Sequence, residues 1–189
     1  MRDATSTRQK IHQAALALFV KKGLDATTTR DLAQAAGIAE GTLYRHYVSK
    51  AALIEDLFLS NYASFARRLK AMQAEAMDFP SALRSVVDTV CGFYDQEPVM
   101  FRFLLLTQHQ ALPEVDSESD DNPVQLLQAM VAKAVEDGEL PPQPPALSTA
   151  LMLGLMLQPA VALVYGRLDG PLGQHADAIF AACWRVLNP

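Results

Sequence analysis

Cysteine is scarce in this chain: Cys91 and Cys183 are the only two in 189 residues. No metal-type spacing joins them, which argues against a disulfide framework or a zinc site and leaves both as small core residues. Strand-like alternation is missing along the whole length, which disfavours β and mixed folds, and there is no internal repeat of the kind that builds solenoids. The first residues, Met1 to Lys10, lack the apolar run of a secretory signal, so a cytoplasmic location is expected. No metal or other cofactor is expected. What remains is a chain with a 50% apolar share, enough for a well-buried core, and almost every segment has helical periodicity.

A net charge of -5 would by itself argue against nucleic acid, but the charge is unevenly placed. The first fifty residues hold eight Lys and Arg against four acids, a net of +4, and the rest carries -9. A basic head attracts phosphate and an acidic body repels it, so DNA is steered to one end.

In the head, Ile11, Ala14, Ala15, Leu18 and Phe19 mark a first helix, with a start signal at Ser6-x-x-Gln9 and a stop at Gly23. Thr28-x-x-Asp31 opens a short second helix that Gly37 ends, and a third runs from about Glu40 to Tyr47. Ser49 is the expected N-cap of a long fourth helix, from Ala51 to Met72. Further helices are expected from Pro80 to Gln96, Pro98 to Ala111, Pro123 to Asp137, Ala146 to Arg167 and Gln174 to Leu187, with an acidic loop from Asp116 to Asn122. Leu147 to Tyr165 is apolar and nearly long enough to span a bilayer. Ser148, Thr149, Gln158 and Pro159 interrupt it, and the expectation is a helix buried on several sides, with no membrane.

Thr28 to Tyr47 has the length and punctuation of a helix-turn-helix. Periodicity turns Leu43 and Tyr47 inward beside Leu32 and Ile38, and turns Gly41, Thr42 and Arg45 outward. Tyr44 and His46 fall on the flanks. In a major groove, Thr42 and Arg45 would face base edges and the flanking pair the phosphate walls. Thr29 and Arg30 add contacts from the second helix. Lys50, next to the fourth helix's start, is expected to hold a phosphate.

These residues resemble the tetracycline-repressor (TetR-type) regulators. The likeness rests on Ile11, Ala14, Ala15, Leu18, Phe19, Lys22 and Gly23, then Ala26 to Ala33 and Ala36 to Ile38, and finally Gly41 to Tyr47, Ser49, Lys50 and Leu53. It implies an all-α homodimer with an N-terminal three-helix helix-turn-helix domain, residues 1–48, joined by a long helix to a ligand-binding and dimerisation domain, residues 49–189. It also implies that Thr29, Arg30, Thr42, Tyr44, Arg45, His46 and Lys50 face double-stranded operator DNA, usually as a repressor. Ala39 departs from the family, which commonly has a capping Ser or Thr there.

The last helix is apolar on two faces, with Ile179, Ala182, Cys183 and Val186 on one and Phe180 and Trp184 on the other. Ile179, Phe180, Ala182, Cys183 and Trp184 are therefore the expected dimer residues, and the resemblance implies that the last two helices pair with their copies. Phe93, Tyr94, Met100, Phe103, Met130, Met152 and Met156 form an adaptable apolar set suited to a small-molecule effector, with Arg102, Gln108, His109 and Gln158 to orient it. A body that binds a protein is the alternative. An enzyme is not expected: Cys91 with His109 and His175 with Cys183 are the only pairs suited to nucleophilic chemistry, and neither carries a motif.

Overall fold

A computed structural model describes residues 2–73, 75–111 and 122–189, and the regular structure among them is helical throughout. The side chains of Gln108 and His109, and the acidic loop up to residue 121, lie outside the described residues. The chain divides into two compact units, one of Met1–Asn61 with Val99–Glu114, the other of Tyr62–Pro98 with Val115–Pro189.

The first unit holds α1 (Arg2–Lys22), α2 (Thr29–Ala36), α3 (Glu40–His46), the start of α4 (Lys50–Gln73) and α6 (Pro98–Ala111). Helix α1 starts at Arg2, ahead of the expected start at Ser6, because no Gly or Pro interrupts the run. It stops at Gly23, whose φ of 90° is left-handed and whose N–H reaches the Phe19 carbonyl at 3.0 Å. Ser49 caps α4 as expected, its Oγ accepting from the Ala52 N–H at 3.1 Å. Ile11, Ala15, Phe19, Leu32, Leu43, Leu53 and Phe58 are buried, and the Phe19 ring stacks on Phe103 of α6 at 6.0 Å.

The second unit holds the rest of α4 with α5 (Phe79–Gln96), α7 (Pro123–Glu136), α8 (Pro145–Val164), a short 3-10 helix (Leu172–His175) and α9 (Ala176–Leu187). Asp78 and Ser81 cap α5 reciprocally, and Pro80 occupies its first turn, where a missing N–H costs nothing. Asp95 accepts the N–H groups of Leu172 and Gly173 at 2.7 and 2.9 Å, tying α5 to the 3-10 helix. Gln143 donates to the Leu187 carbonyl at 2.8 Å, and the Cys183 thiol lies 3.9 Å from the Met152 carbonyl, so α8 and α9 run antiparallel.

Helix α8 corrects one expectation. It is long and apolar enough to cross a membrane by length and composition alone, yet it is buried along one stripe only: Ser148, Thr149, Met152, Met156 and Ala160. Leu147 and Leu151 are 57% and 48% exposed, and Gly154 and Gln158 continue that open stripe. A helix apolar all round finds neighbours within this chain for just one of its faces.

Candidate nucleic-acid interface

Helix α2 is held by its own sequence. The Thr28 hydroxyl accepts from the Asp31 N–H at 3.1 Å while the Asp31 carboxylate accepts from the Thr28 N–H at 2.9 Å, a reciprocal cap. Lys22 adds an ion pair to Asp31 at 2.6 Å, and it and Thr28 hold that carboxyl well below the usual carboxylate range. Gly37 ends the helix with φ 67°, and the Ile38 N–H returns to the Ala33 carbonyl at 3.0 Å.

Helix α3 has no such closure. Ala39 supplies no side-chain cap, as its residue type implied. The helix is fixed instead by Leu43 and Tyr47, which are 2% and 8% exposed, so the inward face is the expected one, with Leu32 also buried and Ile38 half-buried. On the outward side Arg45 donates to the Thr42 hydroxyl at 3.0 Å, Tyr44 is 49% exposed, and a side chain at Gly41 would meet open space. Thr29 donates to Glu40 at 2.8 Å and lies 3.3 Å from the Tyr44 hydroxyl, while Arg30 is exposed. Thr29, Arg30, Thr42, Tyr44 and Arg45 thus belong to the outer surface of α2 and α3. His46 is half-buried at the mouth of a recess of about 340 Å³ shared with Arg8, Ala52 and Asp56.

Lys50 requires correction. Its ammonium turns inward and donates to the carbonyls of Leu24, Thr27 and Asp25 at 2.9, 3.0 and 3.4 Å. An ammonium has three protons, and here all three serve the α1–α2 loop, so none is left for the phosphate it was expected to hold.

A polar cluster escaped the sequence reading. Tyr47 donates to Asp56 at 2.6 Å, His12 lies 2.7 Å from the Tyr47 hydroxyl and 3.0 Å from Asp56, and Arg8 pairs with the same carboxylate. The end of α3 is thereby tied to α1 and α4. Burial would raise the Asp56 carboxyl, but hydrogen bonds from Tyr47, Arg8 and His12 outweigh it and hold it low. Burial lowers His12 despite Asp56, and burial pushes Tyr47 up to about 12. The available signal was Tyr47 itself: a ring placed in a core needs a partner for its hydroxyl.

Two sets of expectations change in the body. Ile179 and Cys183 are 5% and 0% exposed, packed within their own protomer, so they are withdrawn as dimer contacts; Phe180, Ala182 and Trp184 stay partly open. The Arg84 guanidinium lies over the Phe180 ring at 5.9 Å, and Trp184 meets Phe79 at 6.4 Å. Phe93, Phe103, Met152 and Met156 are each at most 7% exposed and act as packing, with Phe93 stacked on Phe65 at 5.0 Å. Met100 and Arg102 belong to the first unit, Tyr94 and Met130 to the second. Met130 does line an open groove of about 520 Å³ with Phe79, Leu126 and Ala134, edged by Lys70 and Lys133. Both thiols are pushed up to about 11 by burial, the opposite of what a nucleophile needs, and the Cys183 thiol is turned to a backbone carbonyl, with no bond to His175.

Residues 11–57 match the family described as bacterial regulatory proteins, tetR family. The transcriptional repressor KstR2 of Rhodococcus jostii (strain RHA1) is 33% identical over 82 residues, covering 43% of this chain and 40% of the repressor. The nucleoid occlusion factor SlmA of Klebsiella pneumoniae (strain 342) is 29% identical over 138 residues, 70% of each chain. The regulator FadR from Bacillus subtilis, solved in complex with stearoyl-CoA, superposes with a TM-score of 0.79 at 15% identity, covering 93% of this chain and 96% of that one.

Proposed function

Since this chain belongs to the tetR family of bacterial regulatory proteins and is a DNA-binding transcriptional regulator, we propose that it acts as a homodimeric repressor released from its operator by a small apolar ligand. The observation that carries the reading is the outward face of α3. Thr42, half-buried, and Arg45, exposed, are hydrogen-bonded to each other on a helix whose opposite face is buried. With Thr29, Arg30, Tyr44 and His46 they supply the side chains for bases and phosphates; Lys50 keeps the loop behind them in place. Residues 1–48 are the DNA-binding domain and 49–189 the regulatory one.

Dimerisation is assigned to the open stripe of α8 with the side of α9 that carries Ala182 and Val186. Leu147, Leu151 and Val186 expose apolar surface that a second copy would remove from water. Two heads on a two-fold axis then address half-sites about 34–36 Å apart. The groove beside Met130 has a volume in the range of small-molecule sites and suits an apolar effector. A body that binds a protein, with no small molecule, is the alternative reading.

Footprinting on DNA upstream of the protein's own gene, followed by equilibrium binding, tests the proposal. Arg45→Ala should cost roughly 1–3 kcal/mol on the protected site and relax preference at one base pair. Equal losses on random DNA would remove its reading role. Titration of apolar metabolites with and without operator then separates the two readings of the body, because a true effector must bind more weakly once operator is present.

A further inference from the structure

Glu40 is one of four acids in a head of net charge +4, it is exposed, and its placement is constrained. It opens α3, is exposed, and accepts the Thr29 hydroxyl proton on Oε1 at 2.8 Å. The Tyr44 hydroxyl lies 3.3 Å from the same Thr29 oxygen. The proton inventory fixes the direction of this chain. A carboxylate only accepts, so the single Thr29 proton is committed to Glu40, and Tyr44 must donate to Thr29. The relay of Tyr44 to Thr29 to Glu40 steadies one carboxylate oxygen across α2 and α3. It leaves Oε2, on an exposed residue, without a hydrogen bond.

An anion at this position is opposed by every phosphate it approaches. Only a base can compensate, and the four bases differ in what they offer. In the major groove guanine presents two acceptors and thymine an acceptor beside a methyl group, so both repel or ignore a carboxylate. Adenine pairs its amino group with an adjacent N7 acceptor, which suits an amide better than a carboxylate. Cytosine presents its N4 amino group as a donor with no acceptor beside it. The first residues of a recognition helix are those that reach base edges. We infer that Glu40 is a specificity-determining residue that reads a cytosine in each operator half-site through N4, with Thr29 and Tyr44 holding it in position. This rests on α3 entering the major groove, as proposed above.

The alternative is that Glu40 merely offsets the α3 dipole and links two helices. Selection from a random duplex pool, using the full chain as wild type, Glu40→Gln and Glu40→Ala, separates the two. The wild type should converge on an inverted repeat with cytosine at one symmetric position. Glu40→Gln should move that position to adenine and leave the others unchanged, because an amide can serve N6 and N7 together. Glu40→Ala should lose preference there alone. Replacing that cytosine should then weaken wild-type binding roughly tenfold and the Glu40→Ala variant not at all. Circular dichroism shows that each variant keeps its helices, and should Glu40→Gln misfold, Glu40→Ala carries the test. Variants that select the wild-type sequence at every position, with uniformly tighter binding, would overturn the assignment. If even the wild type selects no common sequence, major-groove reading itself falls, and this assignment falls with it.

Discussion

Helices α2 and α3 are neighbours of nearly equal length, eight and seven residues, but they are secured by different means. Thr28, Asp31 and Gly37 close both ends of α2 with bonds made by adjacent residues. Helix α3 begins at an uncapped alanine and ends at Tyr47, whose hydroxyl is held by Asp56 of α4 and by His12 and Arg8 of α1. Helix α2 is therefore specified locally, and α3 takes its orientation from the rest of the head. Short helices are marginal alone, so α3 depends on those distant contacts.

The harshest way to break this contrast is to remove the distant anchor. Asp56→Ala strips the shared acceptor from Tyr47, His12 and Arg8, and should cost roughly 2–3 kcal/mol of head stability and more operator affinity than random-DNA affinity. Thermal melting and paired binding curves would read both, and an unchanged operator-to-random ratio would count against Asp56 as the anchor of α3. The same cluster sets a pH window. Asp56 and His12 both have lowered folded values, so their stabilisation is complete above the unfolded values of 3.8 and 6.5 and is lost as pH falls through each folded value. Melting temperature should thus decline on acidification from pH 6.5, and His12→Gln should flatten the first part of that decline.

Lys50→Met is the next test, since it removes three carbonyl partners from the loop ahead of α2. Stability should fall by roughly 1–3 kcal/mol while the salt dependence of DNA binding keeps its slope. A slope lower by about one phosphate would restore Lys50 to the DNA surface. The mildest pair sharpens the contrast directly: Thr28→Ala should cost about 1 kcal/mol by opening α2, and Ala39→Ser should stabilise by up to about that amount by giving α3 the cap it lacks. Urea unfolding of both variants would settle the signs.

The contrast also explains how far the sequence could be read. Thr28-x-x-Asp31 and Gly37 signalled α2 because its bonds lie within a few residues. The inward face of α3 was equally plain in the spacing of Leu43 and Tyr47. Lys50 was misjudged because its acceptors, the carbonyls of Leu24, Asp25 and Thr27, lie a loop and two helices earlier in the chain. Asp56 passed unnoticed for the same reason. In the body, periodicity placed Ile179, Ala182, Cys183 and Val186 on one face of α9 but could not say which of them were already covered: Ile179 and Cys183 proved to be buried, while Ala182 is half-buried and Val186 exposed. The apolar residues chosen for a ligand were mostly core, since Phe and Met fill a closed interior as readily as they line an open groove.

The two buried thiols carry one more consequence. With both pushed up to about 11 by burial, the two sulfurs stay protonated at neutral pH. Peroxides and alkylating agents attack the ionised form, and both sulfurs are also screened by packing. The protein should therefore keep its operator affinity through oxidative stress that would inactivate a thiol-based sensor.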